Sequence, residues 1–294
     1  MSETLSWPLV ATRLERELGE PLQDARRLTP AKVARATWAA RTRGAGELVV
    51  KVRHGDRADE KTQWLAAGLP LLGARGYPVP GIVWHGSLGD DWYVVVQRRL
   101  PGRPIGRLTG PLLDALLELV ELQAGAGIAA GDRDFAGYIA NVLFDDWDEV
   151  WDDAGRSPAG ARLCDWIRDW LRPVWGLRLA PDDFTHNDLH LSNVLADGER
   201  ITGVVDWDEF GLGHRAIDLV VLGFDCARIG EQQAADRLFA RAAGVAGAGG
   251  LRCLASYRAL AHLADNWREG QPADTEATTP DFAAVLGRLR AQYG

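Results

Sequence analysis

The chain has 294 residues with 41 acidic and 33 basic side chains, and its formal net charge is −8 at pH 7. This length predicts about two domains or lobes with a sizeable core, which excludes a lone small module. The acidic balance and the lack of a basic cluster argue against a nucleic-acid partner, whose phosphates require a face of Lys and Arg. They favour a cationic ligand.

The sequence also argues against membrane and secreted classes. It opens at Met1–Thr4 without a cationic region, and its best apolar run, Ile217–Phe224, is short and carries an aspartate. A membrane-spanning helix needs about 20 apolar residues. The three cysteines lack CxxC spacing and lie in apolar helical sequence, so we predict buried thiols and a cytoplasmic protein. These cysteines are Cys164, Cys226 and Cys253.

The first hundred residues predict an antiparallel sheet with accompanying helices. Helical spacing of apolar residues predicts a helix over Trp7–Leu18 and a second over Asp59–Ala74, in which Pro70 predicts a kink or an early break. Short runs rich in Val and Trp, separated by turns, predict strands. These runs are 33–40, 47–53, 81–87 and 92–98.

Helical periodicity dominates after the irregular segment Leu100–Pro104, so we predict lobes of residues 1–99 and 100–294. One island, Phe184–Asp206, differs because it contains two brief strand-like pieces around the turn Asp197–Gly198. The predicted helices are 111–126, 134–151, 160–175, 215–229, 231–244, 250–268 and 280–292.

The island carries the residues with the clearest chemistry. It reads H-N-D-L-H-L-S-N over His186–Asn193, and thirteen residues after Asn193 an apolar strand leads into Asp206. A phosphoryl-transfer site needs such a set: one carboxylate to orient and deprotonate a hydroxyl, and an Asn with a second Asp to hold Mg²⁺. We therefore predict that Asp188, Asn193 and Asp206 converge.

The pattern H-x-D-x-x-x-x-N followed by a strand-borne Asp resembles the catalytic core of protein-kinase-like enzymes. H-N-D-L-H-x-x-N-V-L with V-V-D-W is similar to the aminoglycoside phosphotransferase and choline kinase family. The resemblance implies an α+β, protein-kinase-like bilobal fold, with a small antiparallel-sheet N-lobe and a mainly helical C-lobe. It also implies Mg²⁺ and ATP, or GTP in its place, as cofactors.

The same resemblance assigns roles to individual positions. It makes Asp188 the catalytic base, and Asn193 and Asp206 the Mg²⁺ ligands. Lys51, one of three lysines in the chain, becomes the third-strand lysine on the nucleotide phosphates, with Glu60 as its ion-pair partner. The remaining candidates are the hinge residues Gln97, Arg98 and Arg99 for the adenine, and His186 and Asp218 as supports of the catalytic loop.

Three departures from the family pattern stand out. The stretch Leu28–Arg35, where a glycine-containing phosphate loop is usual, has no glycine, although its Lys32 adds a charge. Asn187 replaces the glycine of the common H-G-D, and Gly213–Arg215 replaces G-D-P. The twelve residues from Asp206 to Asp218 leave no room for a protein-kinase activation segment, so a small-molecule substrate is favoured.

Simpler interpretations of the same residues remain open. Asp188 and Asn193 are also typical turn-capping residues. His186, Asp188 and His190 form an H-x-D-x-H pattern that a metallohydrolase would use. For Asp218, an ordinary carboxylate at a helix start is the alternative.

A run of six carboxylates over Asp145–Asp153, with Trp147 and Trp151 one helical turn apart, suits an amine-rich substrate. The alternative is a buried Trp pair beside a solvated acidic face. The substrate-binding candidates are Asp145, Asp146, Trp147, Asp148, Trp151, Asp208 and Glu209.

We therefore predict an ATP-dependent O-phosphotransferase that inactivates a cationic antibiotic and acts as a monomer or dimer. The antibiotic is an aminoglycoside or a tuberactinomycin cyclic peptide such as capreomycin or viomycin. The alternatives are a metabolic kinase for a fructosamine, choline or another amino alcohol, and a non-catalytic nucleotide- or antibiotic-binding protein.

Overall fold

The computed structural model describes residues 6–29, 35–55, 58–89, 91–127, 134–145 and 149–294. The chain divides into two compact units, Met1–Arg103 with Leu195–Val205, and Pro104–Val194 with Asp206–Gly294. The segment Leu195–Val205 thus joins the first unit although it lies far along the chain. Periodicity along the sequence cannot assign it, because a short hairpin has no local signal for the unit on which it packs.

The described residues of the first unit form two helices and several β-strands. In chain order they are α1 (Trp7–Leu18), β1 (Gln23–Arg27), β2 (Arg35–Thr42), β3 (Gly46–His54), α2 (Ala58–Ala74), β4 (Ile82–Gly89) and β5 (Trp92–Arg98). The short β6 (Arg103–Pro104) follows at the boundary, and the hairpin of β8 (Val194–Asp197) and β9 (Arg200–Val204) returns later.

The main sheet of the first unit is antiparallel, with strand order β1-β2-β3-β5-β4. In β3, Leu48, Val50 and Val52 are buried in a core with Trp38 and Val94. Alternation along a strand then places Lys51 on the opposite face, where it is half-buried. Strand β1 was not predicted because all five of its residues are polar or small and exposed, so no alternation marks it.

Helix α2 runs unbroken through Pro70, so the prediction of a break there was wrong. Leu65, Leu69 and Leu72 are all fully buried along one face of this helix. Their burial outweighs the single hydrogen bond that a proline removes from a helix interior.

The second unit is mainly helical. Its elements are α3 (Gly110–Glu121), α4 (Phe135–Phe144), α5 (Val150–Ala154), α6 (Pro158–Leu171), β7 (Asp183–Thr185), β10 (Gly211–Gly213), α7 (Ala216–Arg228), α8 (Gln232–Arg268) and α9 (Pro272–Tyr293). Strand β7, at the start of the island, pairs antiparallel with β10, which follows the island.

Two helix boundaries in this unit bear on the predictions. The single helix predicted over 134–151 is two helices, α4 and α5. In α8, Gly247 has φ 73° and ψ 166°, which interrupts the helical path between the two predicted segments 231–244 and 250–268. None of the helices in the described ranges has the length and apolarity that a membrane crossing requires.

Candidate functional site

The backbone of the island is held by one buried carboxylate. Asp218, in the first turn of α7, is fully buried. Its Oδ2 accepts hydrogen bonds from His186 N (2.8 Å) and Gln123 Nε2 (2.7 Å), and its Oδ1 accepts one from Asn187 N (2.7 Å). Burial raises the pKa of Asp218, whereas these donors and the His186 ring oppose the rise. Asp218 therefore sets the path of the loop that carries Asp188.

Asn187 explains the departure from H-G-D. Its φ is +67°, in the left-handed region that glycine adopts most easily and Asn tolerates. Its Oδ1 accepts from the Thr185 hydroxyl (2.7 Å), and its Nδ2 donates to the Glu209 carbonyl (2.7 Å). The side chain thus offsets the backbone strain with two hydrogen bonds that glycine could not make.

Asp188 lies at the mouth of a cleft, with its side chain one-third exposed. One carboxylate oxygen is 3.4 Å from His190 Nε2 and the other is 3.8 Å from Arg258 Nη1. Burial raises the pKa of Asp188, but the His190 contact and the Arg258 charge outweigh it and leave the pKa below its usual value. Asp188 is therefore ionised at neutral pH, as an acceptor for a hydroxyl proton must be.

Asn193 ends the short 3₁₀ turn Leu191–Asn193. Its Nδ2 donates to the Asp188 carbonyl (3.0 Å) and lies 3.1 Å from His190 Nε2. His190 in turn contacts the Ser192 hydroxyl at 2.6 Å. Because the amide nitrogen of Asn193 faces protein atoms, its Oδ1 is the atom that a cation would use.

Asp206 follows β9 by two residues and is exposed, with φ +65°. The next residue, Trp207, is buried, and its ring centroid lies 4.6 Å from that of His186 and 6.0 Å from that of Phe184. Trp207 therefore fixes the chain at Asp206 against the catalytic loop.

The donor set fits Mg²⁺. This ion takes one or two protein oxygen ligands and completes its octahedron with phosphates and water. Asn193 Oδ1 and the Asp206 carboxylate are oxygen donors of this kind, and their binding of Mg²⁺ stays a prediction. Conversely, the described residues hold no grouping of three or more His, Cys, Asp or Glu side chains that could bind a metal. The H-x-D-x-H interpretation is wrong, because His186 is fully buried and packs on Trp207.

The nucleotide candidates lie in the first unit. Lys51 is in β3, opposite Val95 of β5, and Glu60 is exposed in the first turn of α2. Their ion pair stays a prediction. Of the phosphate-loop stretch Leu28–Arg35, residues 30–34 lie outside the described part of the chain.

The hinge candidates are partly engaged by the sheet. Gln97 is buried at the end of β5. The N–H of Arg98 donates to the Gly81 carbonyl (2.8 Å), and that of Arg99 donates to the Glu47 carbonyl (3.0 Å). An adenine bound along this segment would therefore use its carbonyl groups or donors beyond residue 99.

The contact of the acidic run with a substrate stays a prediction, and the structure describes only part of the run. Trp151 is only 5% exposed, its Nε1 donates to the Val142 carbonyl (2.7 Å), and it is a core residue that we do not propose as a substrate contact. Asp145 pairs with Arg178 at 3.0 Å. Asp146, Trp147 and Asp148 lie outside the described residues. Asp208 is half-buried and Glu209 exposed beside the catalytic loop, and their contact with substrate stays a prediction.

A cleft of about 670 Å³ opens beside Asp188 in the second unit, which is the size of a site for a drug-sized molecule. Sequence reasoning missed most of its lining. Arg258 stands in an otherwise apolar stretch of α8, and Asp281, Val285 and Arg288 recur at helical spacing in α9. These two sequence patterns are the ones that could have indicated the lining of the cleft. The wall from α9 was missed because nothing local shows which face of that helix meets the catalytic loop.

His262 in this cleft makes stability pH-dependent. Burial is the main cause that lowers the pKa of His262 to about 4; the charges of Arg258 and Arg228 act in the same direction, and those of Asp188 and Asp274 oppose them. The unfolded chain takes up a proton near pH 6.5 and the folded chain only near pH 4. Neutral His262 thus contributes up to about 3 kcal/mol to the free energy of unfolding above pH 6.5. This contribution is lost as the pH falls from 6.5 towards 4.

We expect His262→Phe to flatten the fall in unfolding free energy between pH 6.5 and pH 4, measured by urea denaturation. Phenylalanine retains the ring contact with Phe282, whose centroid is 4.8 Å away. The difference between variant and parent isolates His262 from His214, whose pKa burial also lowers. Parallel pH profiles for both proteins would contradict the assignment.

Known proteins resemble this chain in sequence and fold. Residues 27–260 match the model of the phosphotransferase enzyme family, APH. The hygromycin-B 4-O-kinase of Escherichia coli is 27% identical over 168 residues, which cover 50% of this chain and 48% of that enzyme. The alignment thus spans about half the length of this curated relative.

Solved structures match over nearly the whole chain. The aminoglycoside phosphotransferase APH(4)-Ia, in a ternary complex with ADP and hygromycin B, superposes with a TM-score of 0.67 at 20% identity, covering 94% of this chain and 97% of that one. The amicoumacin kinase hAmiN, in complex with AMP-PNP and Ca²⁺, gives a TM-score of 0.65 at 15% identity, covering 99% and 93%. At these identities the likeness shows a shared α+β kinase-like fold.

Proposed function

Because the chain belongs to the phosphotransferase enzyme family, we propose that it transfers the γ-phosphoryl group of ATP to a hydroxyl of an antibiotic and so inactivates the drug. The observation that carries this proposal is the site around Asp188. An ionised carboxylate stands at the mouth of a drug-sized cleft, and Asn193 is hydrogen-bonded to the backbone of the same residue.

In this reaction Asp188 orients the acceptor hydroxyl and takes its proton as the oxygen attacks phosphorus. Asn193 and Asp206 hold Mg²⁺, which neutralises charge on the nucleotide phosphates. Lys51 binds the phosphates, with Glu60 as its partner. Asp218 and His186 hold the loop so that the hydroxyl and the phosphoryl group meet in line.

The antibiotic class of the substrate is supported by what similar proteins act on. The E. coli relative is a hygromycin-B kinase, and the two kinase structures carry ADP or AMP-PNP. The tuberactinomycin subtype rests only on the stretch V-V-D-W-D-E at Val204–Glu209. We propose the cytoplasm as the location, because the three cysteines are buried free thiols, typical of a reducing compartment.

The test is phosphate transfer from ATP with Mg²⁺ to a panel of hydroxyl compounds, read as the mass gain of one phosphoryl group. The panel contains hygromycin B, kanamycin, capreomycin, viomycin, choline and a fructosamine, with GTP replacing ATP in a parallel series. We expect an antibiotic product. Phosphorylated choline or fructosamine in its place would establish a metabolic kinase, and nucleotide binding without any product would indicate a binding protein.

A further inference from the structure

The cleft beside Asp188 has a charge pattern that a polycation does not fit. Three aspartates and three arginines belong to its described lining: Asp188, Asp225, Asp281, Arg228, Arg258 and Arg288. Of the carboxylates, Asp188 serves the reaction. Asp225 accepts from Leu191 N at 2.9 Å and pairs with Arg228 at 2.6 Å. In the described lining, only Asp281 is left to receive an amine.

Two of the arginines, by contrast, have N–H donors that can bind an acceptor on a ligand. Arg258 reaches Asp188 only at 3.8 Å, and its Nε is buried without a hydrogen-bond acceptor in the described structure. Arg288 is exposed on α9, and none of the described acidic side chains pairs with it. A partly buried guanidinium such as that of Arg258, which has an N–H group without an acceptor, favours a carboxylate or another oxygen acceptor.

The lining also contains apolar side chains, beside polar ones such as His190, Gln232 and Thr278. Phe224 of α7 and Phe282 of α9 lie with ring centroids 4.9 Å apart, and aliphatic side chains continue the surface on both sides. These side chains are Ile105, Val221, Ile229 and Val285. The parts of these side chains that face the cleft favour an apolar ligand surface, at about 25 cal/mol per Å² buried.

From this combination we infer that the acceptor substrate is a hydroxylated amphiphile with one anionic group. Its apolar body packs between α7 and α9, Arg258 and Arg288 bind its acid, and its hydroxyl faces Asp188. This inference rests on the proposed phosphotransfer at the same site. It replaces the polycationic substrate that the acidic run Asp145–Asp153 predicts, because the described members of that run do not line the cleft.

The test compares two hydroxylated amphiphiles that carry one carboxylate, fusidic acid and mupirocin, with two polycations, kanamycin and hygromycin B. Binding to the full chain is measured by calorimetry in the presence of Mg²⁺ and AMP-PNP, which replaces ATP so that no transfer occurs. We expect at least one amphiphile to bind at least tenfold more tightly than either polycation. Tighter binding of a polycation, or no binding of either amphiphile, would overturn the inference.

Two variants test whether Arg258 and Arg288 bind the carboxylate of the amphiphile. Arg258→Met and Arg288→Gln are each expected to weaken binding of the amphiphile at least fivefold and to leave or improve binding of the polycations. Arg172→Gln, on an exposed pair at the end of α6, is the matched control with unchanged affinities. Unchanged amphiphile binding in both cleft variants would contradict the inference. Because binding is read without turnover, an absent phosphorylated product would reject the proposed function and not this inference.

Discussion

Replacing Asp188 with asparagine is expected to lower kcat by about 10²–10⁴-fold, the usual contribution of a general base. Asparagine keeps the shape of the side chain but cannot accept the hydroxyl proton. The carboxylate contacts His190 and Arg258 at its two oxygens, so the variant also loses the negative charge between them. Nucleotide binding should be unaffected, because phosphate contacts are assigned to other residues. Initial rates of phosphate transfer and the affinity for AMP-PNP measure the two quantities separately.

The matched control for this experiment is Asp169→Asn. Asp169 is an exposed carboxylate on α6 that pairs with Arg172 and Arg290, and its loss should leave kcat unchanged. An Asp188→Asn protein with at least a tenth of the parent kcat would rule out Asp188 as the base.

Replacing Asp218 with alanine is expected to lower the free energy of unfolding by about 3–5 kcal/mol, because each buried donor left without an acceptor costs about 1–3 kcal/mol. Three donors lose their acceptor at once: the N–H groups of His186 and Asn187 and the amide of Gln123. Activity should fall as well, since the loop that carries Asp188 is no longer held. Urea denaturation and initial rates are the measurements.

A second variant keeps this prediction testable where Asp218→Ala fails to fold. Asp218→Asn preserves the volume, but its NH₂ group then faces a donor at one of the two oxygen positions, so a smaller loss of stability is expected. Asp169→Ala, which removes an exposed carboxylate, should cost less than about 1 kcal/mol. A loss of similar size in Asp218→Ala would show that the carboxylate is not a structural anchor.

The close approach of Asp188 and Asn193 was predictable from sequence because it depends on a short stretch of chain. Asp188 and Asn193 are five residues apart, so a single turn brings them together, and the structure has Asn193 donating to the Asp188 carbonyl. The antiparallel sheet was equally predictable, since β3 and β5 alternate or run apolar between clear turns. Strand β1 carries no such signal and was missed.

The role of Asn187 could be found only from the sequence and the structure together. The sequence alone shows that Asn187 stands where glycine is common in the family, and that this change touches none of the proposed ligands. The structure gives its φ of +67° and the two side-chain hydrogen bonds that stabilise that conformation. A rule based on residue type cannot supply this, because the Glu209 carbonyl, 22 positions along the chain, is near only in the folded structure.

The lining of the cleft beside Asp188 was decided by tertiary structure alone. The acidic run Asp145–Asp153 looked like a binding wall, yet Trp151 packs into the core and Asp145 pairs with Arg178. The cleft is lined instead by Arg258 and by residues of α9, which lie 70 to 100 positions beyond Asp188. Sequence by itself determined the fold class and the family, because these depend on local spacing and hydrophobic period, and it predicted the loop that carries Asp188. Which charges face the substrate depends on how helices pack against one another, and that packing is set by side chains far apart in the chain.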